Sequence, residues 1–176
     1  MVNRIYTFFR LMKILITGGV KSGKSINAEK RILEISKEVI PIYLATCEIF
    51  DPEMVRRISE HRERRRKKFK TIEESLYLFD VIKDKKSPVL IECMTMWLNN
   101  ALQYNFTEKK IFSEIENLLK LKNDLIFVMN EVGMGVIPEN NLARKFSDLS
   151  GRISQKLSES CDEVSLTVAG ILIKLK

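Results

Sequence analysis

Eight consecutive residues have the types and the spacing of a phosphate-binding loop. The segment GGVKSGKS, residues 18–25, matches the pattern G-x-x-x-x-G-K-[ST] at every fixed position. Apolar residues 13–17 precede it as a predicted buried strand, and residues 26–33 follow it as a predicted helix. Glycines let successive backbone N–H groups point at phosphate oxygens, and the helix N-terminus adds a positive dipole. The segment, called the P-loop below, therefore predicts nucleoside triphosphate binding.

Two P-loop side chains and one distant carboxylate have separate predicted roles. Lys24 is expected to reach the β- and γ-phosphates, and the Ser25 hydroxyl is expected to bind Mg²⁺. Glu92 ends the predicted strand 88–93, which is where P-loop proteins place an acid that binds Mg²⁺ or its water. A glycine turn that matches by accident is the alternative, and the flanking strand and helix disfavour it. The nucleotide-binding candidates in the loop are Gly18, Gly19, Val20, Lys21, Ser22, Gly23, Lys24 and Ser25.

The single histidine, His61, lies on a predicted helix that is rich in arginine. Arg57, Arg64 and Arg65 stand at i−4, i+3 and i+4, so they neighbour the imidazole on a helix surface. Such a cationic environment disfavours the protonated imidazole and keeps a neutral nitrogen available as a nucleophile. On the residues alone, two other interpretations stay open. His61 extends the apolar face of its helix into the core, or the basic run is a solvated face or a nucleic-acid contact.

The predicted elements follow the order β-α-β-α-α-β-α-α-β-α-β-β, which indicates a mainly parallel sheet with helices on both faces. Ligands of such sheets bind beyond the carboxyl ends of the strands, so Thr46, Glu92, Asn130 and Glu131 should meet the P-loop there. Glu131 is a candidate general base or substrate-binding residue, or alternatively a carboxylate that caps loop N–H groups. The predicted strands are 13–17, 39–46, 88–93 and 124–130, followed by an edge hairpin of 163–169 and 171–175. The predicted helices include 71–82, 94–103, 107–122 and a long helix that opens at Pro138 and contains Gly151.

Composition limits the class of protein. The chain has 176 residues, of which 45% are hydrophobic and 30% charged, which suits one soluble domain with a full core. It lacks an uncharged apolar run of ~18 residues, so a membrane span is not expected. Three separated cysteines, Cys47, Cys93 and Cys161, predict reduced thiols in a cytoplasmic protein. The net charge of +7 suits an anionic partner, and nucleotide phosphates provide one without nucleic acid. Residues 1–11 precede Met12 and are interpreted as an extension of a single domain over 12–176.

Several segments together resemble one enzyme family, the bifunctional adenosylcobinamide kinase/adenosylcobinamide-phosphate guanylyltransferase of cobalamin biosynthesis. The resemblance covers nearly all of the chain from Met12 to Lys176. The combination of NEVGMG-x-x-PEN with an I-x-x-H-R helix is far more specific than the P-loop. The matching segments are ILITGGVKSGKSINAE, YLATCEIFDPEMVRRISEHRERR, VLIECMTMWLNNAL, NEVGMGVIPENNLARKFSDLSGRISQKLS and DEVSLTVAGILIKLK.

The resemblance implies a RecA-like P-loop fold, assembled as a homotrimer, that catalyses two reactions. In the first, the γ-phosphate of ATP or GTP passes to a hydroxyl of the corrinoid adenosylcobinamide. In the second, a histidine attacks the α-phosphorus of GTP, and the resulting guanylyl-histidine passes GMP to the cobinamide phosphate. The resemblance assigns this histidine to His61. It assigns the GTP contacts to the P-loop and to Ala45, Thr46, Cys47, Arg62, Glu63, Arg64, Arg65, Glu73 and Glu92.

Two alternatives from other classes remain. One is a P-loop kinase of a small alcohol with a single activity, in which His61 is structural. The other is a nucleic-acid-binding ATPase module that uses the basic helix, which would show affinity for DNA or RNA with a steep salt dependence.

Overall fold

The computed structural model describes residues 11–48 and 67–176, and within them seven strands form one sheet in the order β3-β2-β4-β5-β1-β6-β7. Neighbouring strands are parallel except β6 and β7, which are antiparallel. The strands are β1 Lys13–Gly18, β2 Ile42–Ala45, β3 Lys70–Glu73, β4 Val89–Glu92, β5 Leu125–Asn130, β6 Glu163–Val168 and β7 Ile171–Lys174. The helices are α1 Lys24–Ser36, α2 Leu78–Ile82, α3 Met94–Gln103, α4 Glu108–Lys120 and α5 Asn141–Ser160.

β1 is an interior strand of the sheet, between β5 and β6, and all six of its residues are buried. Its side chains alternate between two apolar clusters, because successive residues of a strand point to opposite faces. Ile14 and Ile16 join Ile32 of α1 on one face, whereas Leu15 joins the cluster that contains Trp97 of α3 on the other. Both faces of the sheet are therefore covered by helices, as the sequence predicted.

The predicted helix over residues 71–82 is wrong. Lys70–Glu73 instead form β3, which pairs in parallel with β2 from Ile42↔Lys70 to Ala45↔Glu73. A turn follows, in which Glu74 Oε1 accepts hydrogen bonds from two backbone N–H groups, and only Leu78–Ile82 are helical. The apolar spacing resembled one helix because a short strand and a short helix happen to follow each other. Residues 70–73 form a strand because they pair with an edge of β2 that would otherwise be free, which satisfies the backbone N–H and C=O groups there.

The long last helix begins three residues later than predicted. Asn140, not Pro138, sets its start, because Asn140 Oδ1 accepts hydrogen bonds from the N–H groups of Leu142 (2.8 Å) and Ala143 (3.1 Å). Gly151 is exposed inside this helix, and a Cβ atom there would meet nothing within 4 Å among the described residues. No other element therefore packs closely on Gly151 in that part of the chain.

The other predicted elements that fall on the described residues are observed, although β2 covers only Ile42–Ala45 of the predicted strand 39–46. The predicted arginine-rich helix around His61 lies outside the described residues. α3 has the predicted bounds, α4 begins after the N-cap Thr107, and β6 and β7 form the closing edge hairpin. All three cysteines are free thiols. Over the described ranges 11–48 and 67–176, the helices are too short or too polar to cross a bilayer. The proposed extension falls almost wholly on residues 1–10, which lie outside the described residues.

Candidate active site

The P-loop joins β1 to α1, and two of its glycines are required by close neighbours. A Cβ atom on Gly18 would lie 2.5 Å from the carbonyl oxygen of Thr167 and 2.7 Å from Ser22 Oγ, which is closer than atoms can approach. Gly23 has φ +97°, which disfavours other residues, and its Cβ would lie 3.1 Å from Gly170 Cα. The loop therefore needs glycine at these positions to curl against the β6–β7 hairpin.

The hairpin turn holds the P-loop through direct hydrogen bonds. The N–H of Gly170 donates to the carbonyl of Ser22 at 2.7 Å, and Asn27 Nδ2 donates to the carbonyl of Gly170 at 3.3 Å. Ser22 also donates its own N–H to the carbonyl of Gly19 at 3.2 Å, which closes the turn of the loop. These bonds attach the P-loop and the start of α1 to the hairpin turn and also close the loop on itself.

Lys24 begins α1 and is almost fully buried beneath the loop, with 8% of its surface exposed. Its Nζ donates to the carbonyl of Gly19 at 3.2 Å. Ser22 Oγ is buried and has no hydrogen-bond partner among the described residues. A buried ammonium and a buried hydroxyl beside a glycine loop form a cradle whose chemistry suits phosphate oxygens. Val20 and Lys21 are exposed on the outer part of the loop.

Ser25 and Glu92, the two residues predicted to bind Mg²⁺, are in direct contact. Ser25 Oγ donates a hydrogen bond to Glu92 Oε1 at 2.7 Å. Glu92 ends β4, a strand that α1 contacts directly, so the carboxylate meets the first turn of the P-loop helix. The hydroxyl and the carboxylate are hard oxygen donors, and Mg²⁺ usually takes only one or two protein ligands in addition to phosphates and water. The donor set fits Mg²⁺. The described residues contain no group of three or more His, Cys, Asp or Glu side chains placed to hold a metal ion.

Backbone pairing places the other predicted residues along the same edge of the sheet. Ala45 is in register with Glu73 of β3 on one side and with Glu92 of β4 on the other. Gly18 is in register with Asn130 of β5, and the N–H of Glu131 donates to the carbonyl of Gly18 at 3.0 Å. The predicted meeting of strand ends at the P-loop is thus observed.

Thr46 holds the backbone that carries Glu92. Its buried hydroxyl accepts from the N–H of Cys93 at 2.7 Å and donates to the carbonyl of Cys93 at 2.8 Å. Its own N–H donates to the carbonyl of Glu92 at 2.9 Å. Thr46 is therefore a positioning residue here, and a nucleotide contact of its side chain stays a prediction.

The sequence analysis did not identify Asn100, whose side chain hydrogen-bonds the backbone of Thr46. Asn100 is fully buried in α3, and its Nδ2 donates to the carbonyl of Thr46 at 2.8 Å. The available signal was the pair of amides Asn99 and Asn100 in the otherwise apolar run from Trp97 to Leu102, because a polar side chain buried in such a run needs a partner. At the other end of α3, Thr95 Oγ1 accepts the N–H of Asn130 at 2.7 Å. α3 therefore organises two strand ends at the site.

The carboxylate of Glu131 is engaged by its own loop. Glu131 Oε1 accepts the N–H of Gly133 at 2.7 Å, which is the capping role that we considered beside the catalytic one. His61, Arg62, Glu63, Arg64 and Arg65 lie outside the described residues.

The three cysteines differ in burial, and Cys161 lies at the amino end of the parallel strands, away from the P-loop. Burial, reinforced by the charge of Glu92, raises the pKa of the Cys93 thiol. Burial and the charge of Asp162 raise the pKa of the Cys161 thiol to about 12. Cys47, which follows the predicted contacts Ala45 and Thr46, is partly exposed at the carboxyl edge.

Comparison with known families agrees with this arrangement. The model of the family described as cobinamide kinase / cobinamide phosphate guanyltransferase matches residues 14–175. The chain belongs to this family. A bifunctional adenosylcobalamin biosynthesis protein CobU of Escherichia coli (strain K12) is 38% identical over 184 residues, which cover 94% of this chain and 100% of the relative. CobP of Pseudomonas aeruginosa, with the same description, is 38% identical over 172 residues and covers 94% and 98% of the two chains.

The similarity to solved structures concerns the fold alone. An ATPase from the type III secretion system of pathogenic bacteria superposes with a TM-score of 0.50 at 12% identity, covering 93% of this chain and 56% of the other. The fold is a P-loop ATPase fold of the RecA-like type, as predicted, with the antiparallel β6–β7 hairpin at its edge.

Proposed function

We propose that this chain phosphorylates adenosylcobinamide with ATP or GTP and then transfers GMP from GTP to the resulting phosphate, giving adenosyl-GDP-cobinamide. The observation that carries the proposal is the contact of Ser25 with Glu92 at 2.7 Å beside the P-loop, in a chain of the cobinamide kinase / cobinamide phosphate guanyltransferase family. One triphosphate site would serve both reactions.

In the kinase reaction, the hydroxyl oxygen of the acceptor bonds to the γ-phosphorus while the bond to the β–γ bridging oxygen breaks. The nucleoside diphosphate leaves, and the hydroxyl proton is released. Negative charge on the transferred group and the leaving oxygen must be offset, and this is where catalysis of phosphoryl transfer mostly acts. The buried Lys24 ammonium and the P-loop N–H groups supply the offsetting charge.

Ser25 and Glu92 are the residues that would hold Mg²⁺. A metal held there would supply positive charge against the phosphates. The chain's contribution is to keep the two donors in place, since Thr46 fixes the backbone on both sides of the Glu92–Cys93 peptide.

In the guanylyl transfer, a neutral nitrogen of His61 bonds to the α-phosphorus of GTP while the bond to pyrophosphate breaks. A phosphate oxygen of cobinamide phosphate then bonds to the same phosphorus and releases the histidine. The neighbouring arginines of the sequence favour the neutral imidazole before attack, and Arg62, Arg64 and Arg65 are proposed to bind the triphosphate. Ala45, Cys47, Glu63 and Glu73 complete the proposed GTP contacts, while Asn130 and Glu131 are proposed to face the corrinoid.

We further propose a cytoplasmic homotrimer. This assembly follows from the family resemblance, and reduced cysteines suit that compartment.

The test uses the full chain incubated with GTP and Mg²⁺, followed by intact mass spectrometry. We expect a covalent GMP adduct that is labile in acid and stable in base, as a phosphoramidate is, and that His61→Ala abolishes. His61→Ala should retain phosphorylation of cobinamide, because only the transfer needs a covalent intermediate. A chain that phosphorylates cobinamide without forming the adduct would instead be a kinase with one activity. Nucleotide hydrolysis stimulated by DNA or RNA would contradict both.

A further inference from the structure

A cleft of about 470 Å³ lies between α3 and α5 and is closed at one end by the loop that follows β5. Leu102 and Phe146 form part of its wall and pack at their inner side against the main apolar cluster. Val132 and Leu142 lie nearer its mouth, with 37% and 68% of their surfaces exposed. Its volume is within the ~300–1,000 Å³ that is usual for sites of small organic ligands.

The wall of the cleft is made of apolar side chains and neutral polar groups. Charged residues make up 30% of the chain, yet the residues that line this cleft carry no charge. Three of them, Asn99, Gln103 and Asn140, have side-chain amides. The helix cap at Asn140 uses only its oxygen, so its amide nitrogen can donate elsewhere. The wall has no lysine or arginine, the side chains that most often bind polyanions such as nucleic acid. The wall suits a ligand with an apolar body and neutral amide groups.

The cleft adjoins the proposed phosphate-donor site. Val132 follows Glu131, whose N–H binds the carbonyl of Gly18 in the P-loop. α3 carries Asn99 and Gln103 and begins two residues after Glu92. The P-loop helix α1 packs on the opposite face of the sheet from α3. A ligand in the cleft would therefore approach the triphosphate from the side that α1 leaves open, at the carboxyl edge that both sites share.

We infer that this cleft holds the corrinoid acceptor, an inference that rests on the proposed function and names the place of its second substrate. A corrinoid is a broad apolar ring whose edge bears neutral carboxamides, and side-chain amides pair with carboxamides as both donors and acceptors. The cleft takes one edge of the ring. The exposed apolar side chains of the adjoining loop, Met134, Val136 and Ile137, extend the apolar surface beyond the cleft.

The test compares two cleft variants with a matched control. Leu142→Lys places a charge at the apolar mouth of the cleft, and Gln103→Ala removes one rim amide. Ile40→Lys is the control, because Ile40 is exposed to a similar extent, 59%, but lies before β2 at the opposite edge of the sheet. The measurements are KM for cobinamide and KM for the nucleotide in the kinase reaction, the Kd for cobinamide by calorimetry, and the oligomeric state by light scattering.

We expect Leu142→Lys to raise KM and Kd for cobinamide by about tenfold or more, and Gln103→Ala to raise them about threefold to tenfold, the value of one hydrogen bond. The nucleotide KM should stay within about twofold in all variants, and Ile40→Lys should match wild type. Unchanged cobinamide constants in both cleft variants would overturn the inference. So would a change of oligomeric state with unchanged cobinamide constants, which would assign the cleft to a second copy. A wild-type chain that neither binds nor phosphorylates cobinamide would overturn the proposed function itself.

Discussion

The N–H of Gly170 lies 2.7 Å from the carbonyl oxygen of Ser22, so the last hairpin of the sheet holds the loop that follows its first strand. Gly23, the next residue of the loop, lies so close to Gly170 that a Cβ atom would come within 3.1 Å of its Cα. The shape of the P-loop is therefore set by a segment almost 150 residues away in sequence as well as by its own glycines.

Gly23→Ala is expected to destabilise the fold. Its φ of +97° costs a residue with a Cβ about 1–3 kcal/mol, and the new methyl group must displace the hairpin turn. The measurement is the free energy of unfolding in urea. Gly19→Ala is the matched control in the same loop, because a Cβ there would meet nothing within 4 Å, and its effect should stay below about 0.5 kcal/mol. Equal effects of the two substitutions would show that neither the backbone conformation of Gly23 nor its contact with the hairpin constrains this position.

Lys24→Ala is expected to reduce both proposed reactions by about 10²–10³-fold, the usual effect of removing one group that stabilises transition-state charge. The measurements are the rates of cobinamide phosphorylation and of GMP transfer at saturating substrates. Lys30→Ala, an exposed lysine on the same helix, is the control and should retain both rates. If the Lys24→Ala variant kept both rates within tenfold of wild type, the proposed role of Lys24 in stabilising transition-state charge would be wrong.

Glu92→Gln is expected to weaken the use of Mg²⁺ while the fold persists. The amide oxygen can still accept the hydrogen bond from Ser25, but one negative charge is lost. Two opposite unit charges 4 Å apart interact by about 4 kcal/mol at an effective dielectric of ~20, so the Mg²⁺ concentration for half-maximal rate should rise at least ~10-fold. A metal titration of the kinase rate measures this. An unchanged titration would place the metal elsewhere.

Alkylation should distinguish the three cysteines. The thiolate is the reactive form, and burial raises the pKa of Cys93 and raises that of Cys161 to about 12, so both should resist iodoacetamide at neutral pH. Cys47 is partly exposed and should react first, and GTP with Mg²⁺ should slow its reaction if the proposed nucleotide contact holds. Peptide mass spectrometry gives the order, and denatured protein, in which all three react, is the control. If GTP with Mg²⁺ leaves the labelling rate of Cys47 unchanged, this result would contradict the proposed contact between Cys47 and the nucleotide.

Gly151→Ala is expected to stabilise the chain by about 0.5–1 kcal/mol. Gly151 is exposed inside α5, a Cβ has open space, and glycine costs a helix this much relative to alanine. The urea midpoint should rise with an unchanged slope. A fall in stability would reveal that something beyond the described residues packs on this helix face.

The sequence predicted the parts of the site that depend on short segments. The P-loop, the buried strand before it and Glu92 at the end of β4 each carry a local pattern, and together they placed the nucleotide site. β3 was missed because its four residues fit a helical spacing, and only the free edge of β2 made them a strand. Asn100 was missed because its role depends on Thr46, which is 54 residues earlier in the chain. The cleft escaped prediction for a similar reason, since its wall combines α3, α5 and the loop after β5.

The position of β1 has a consequence for how the protein is made. β1 is synthesised first, yet the strands that flank it, β5 and β6, begin more than 100 residues later. A growing chain on the ribosome therefore has a complete P-loop sequence but neither of the strands that flank β1 until most of the remaining chain has emerged. Nascent chains that stop before Leu125 should consequently fail to retain nucleotide, and pairing over such sequence distances should make this fold slow to form.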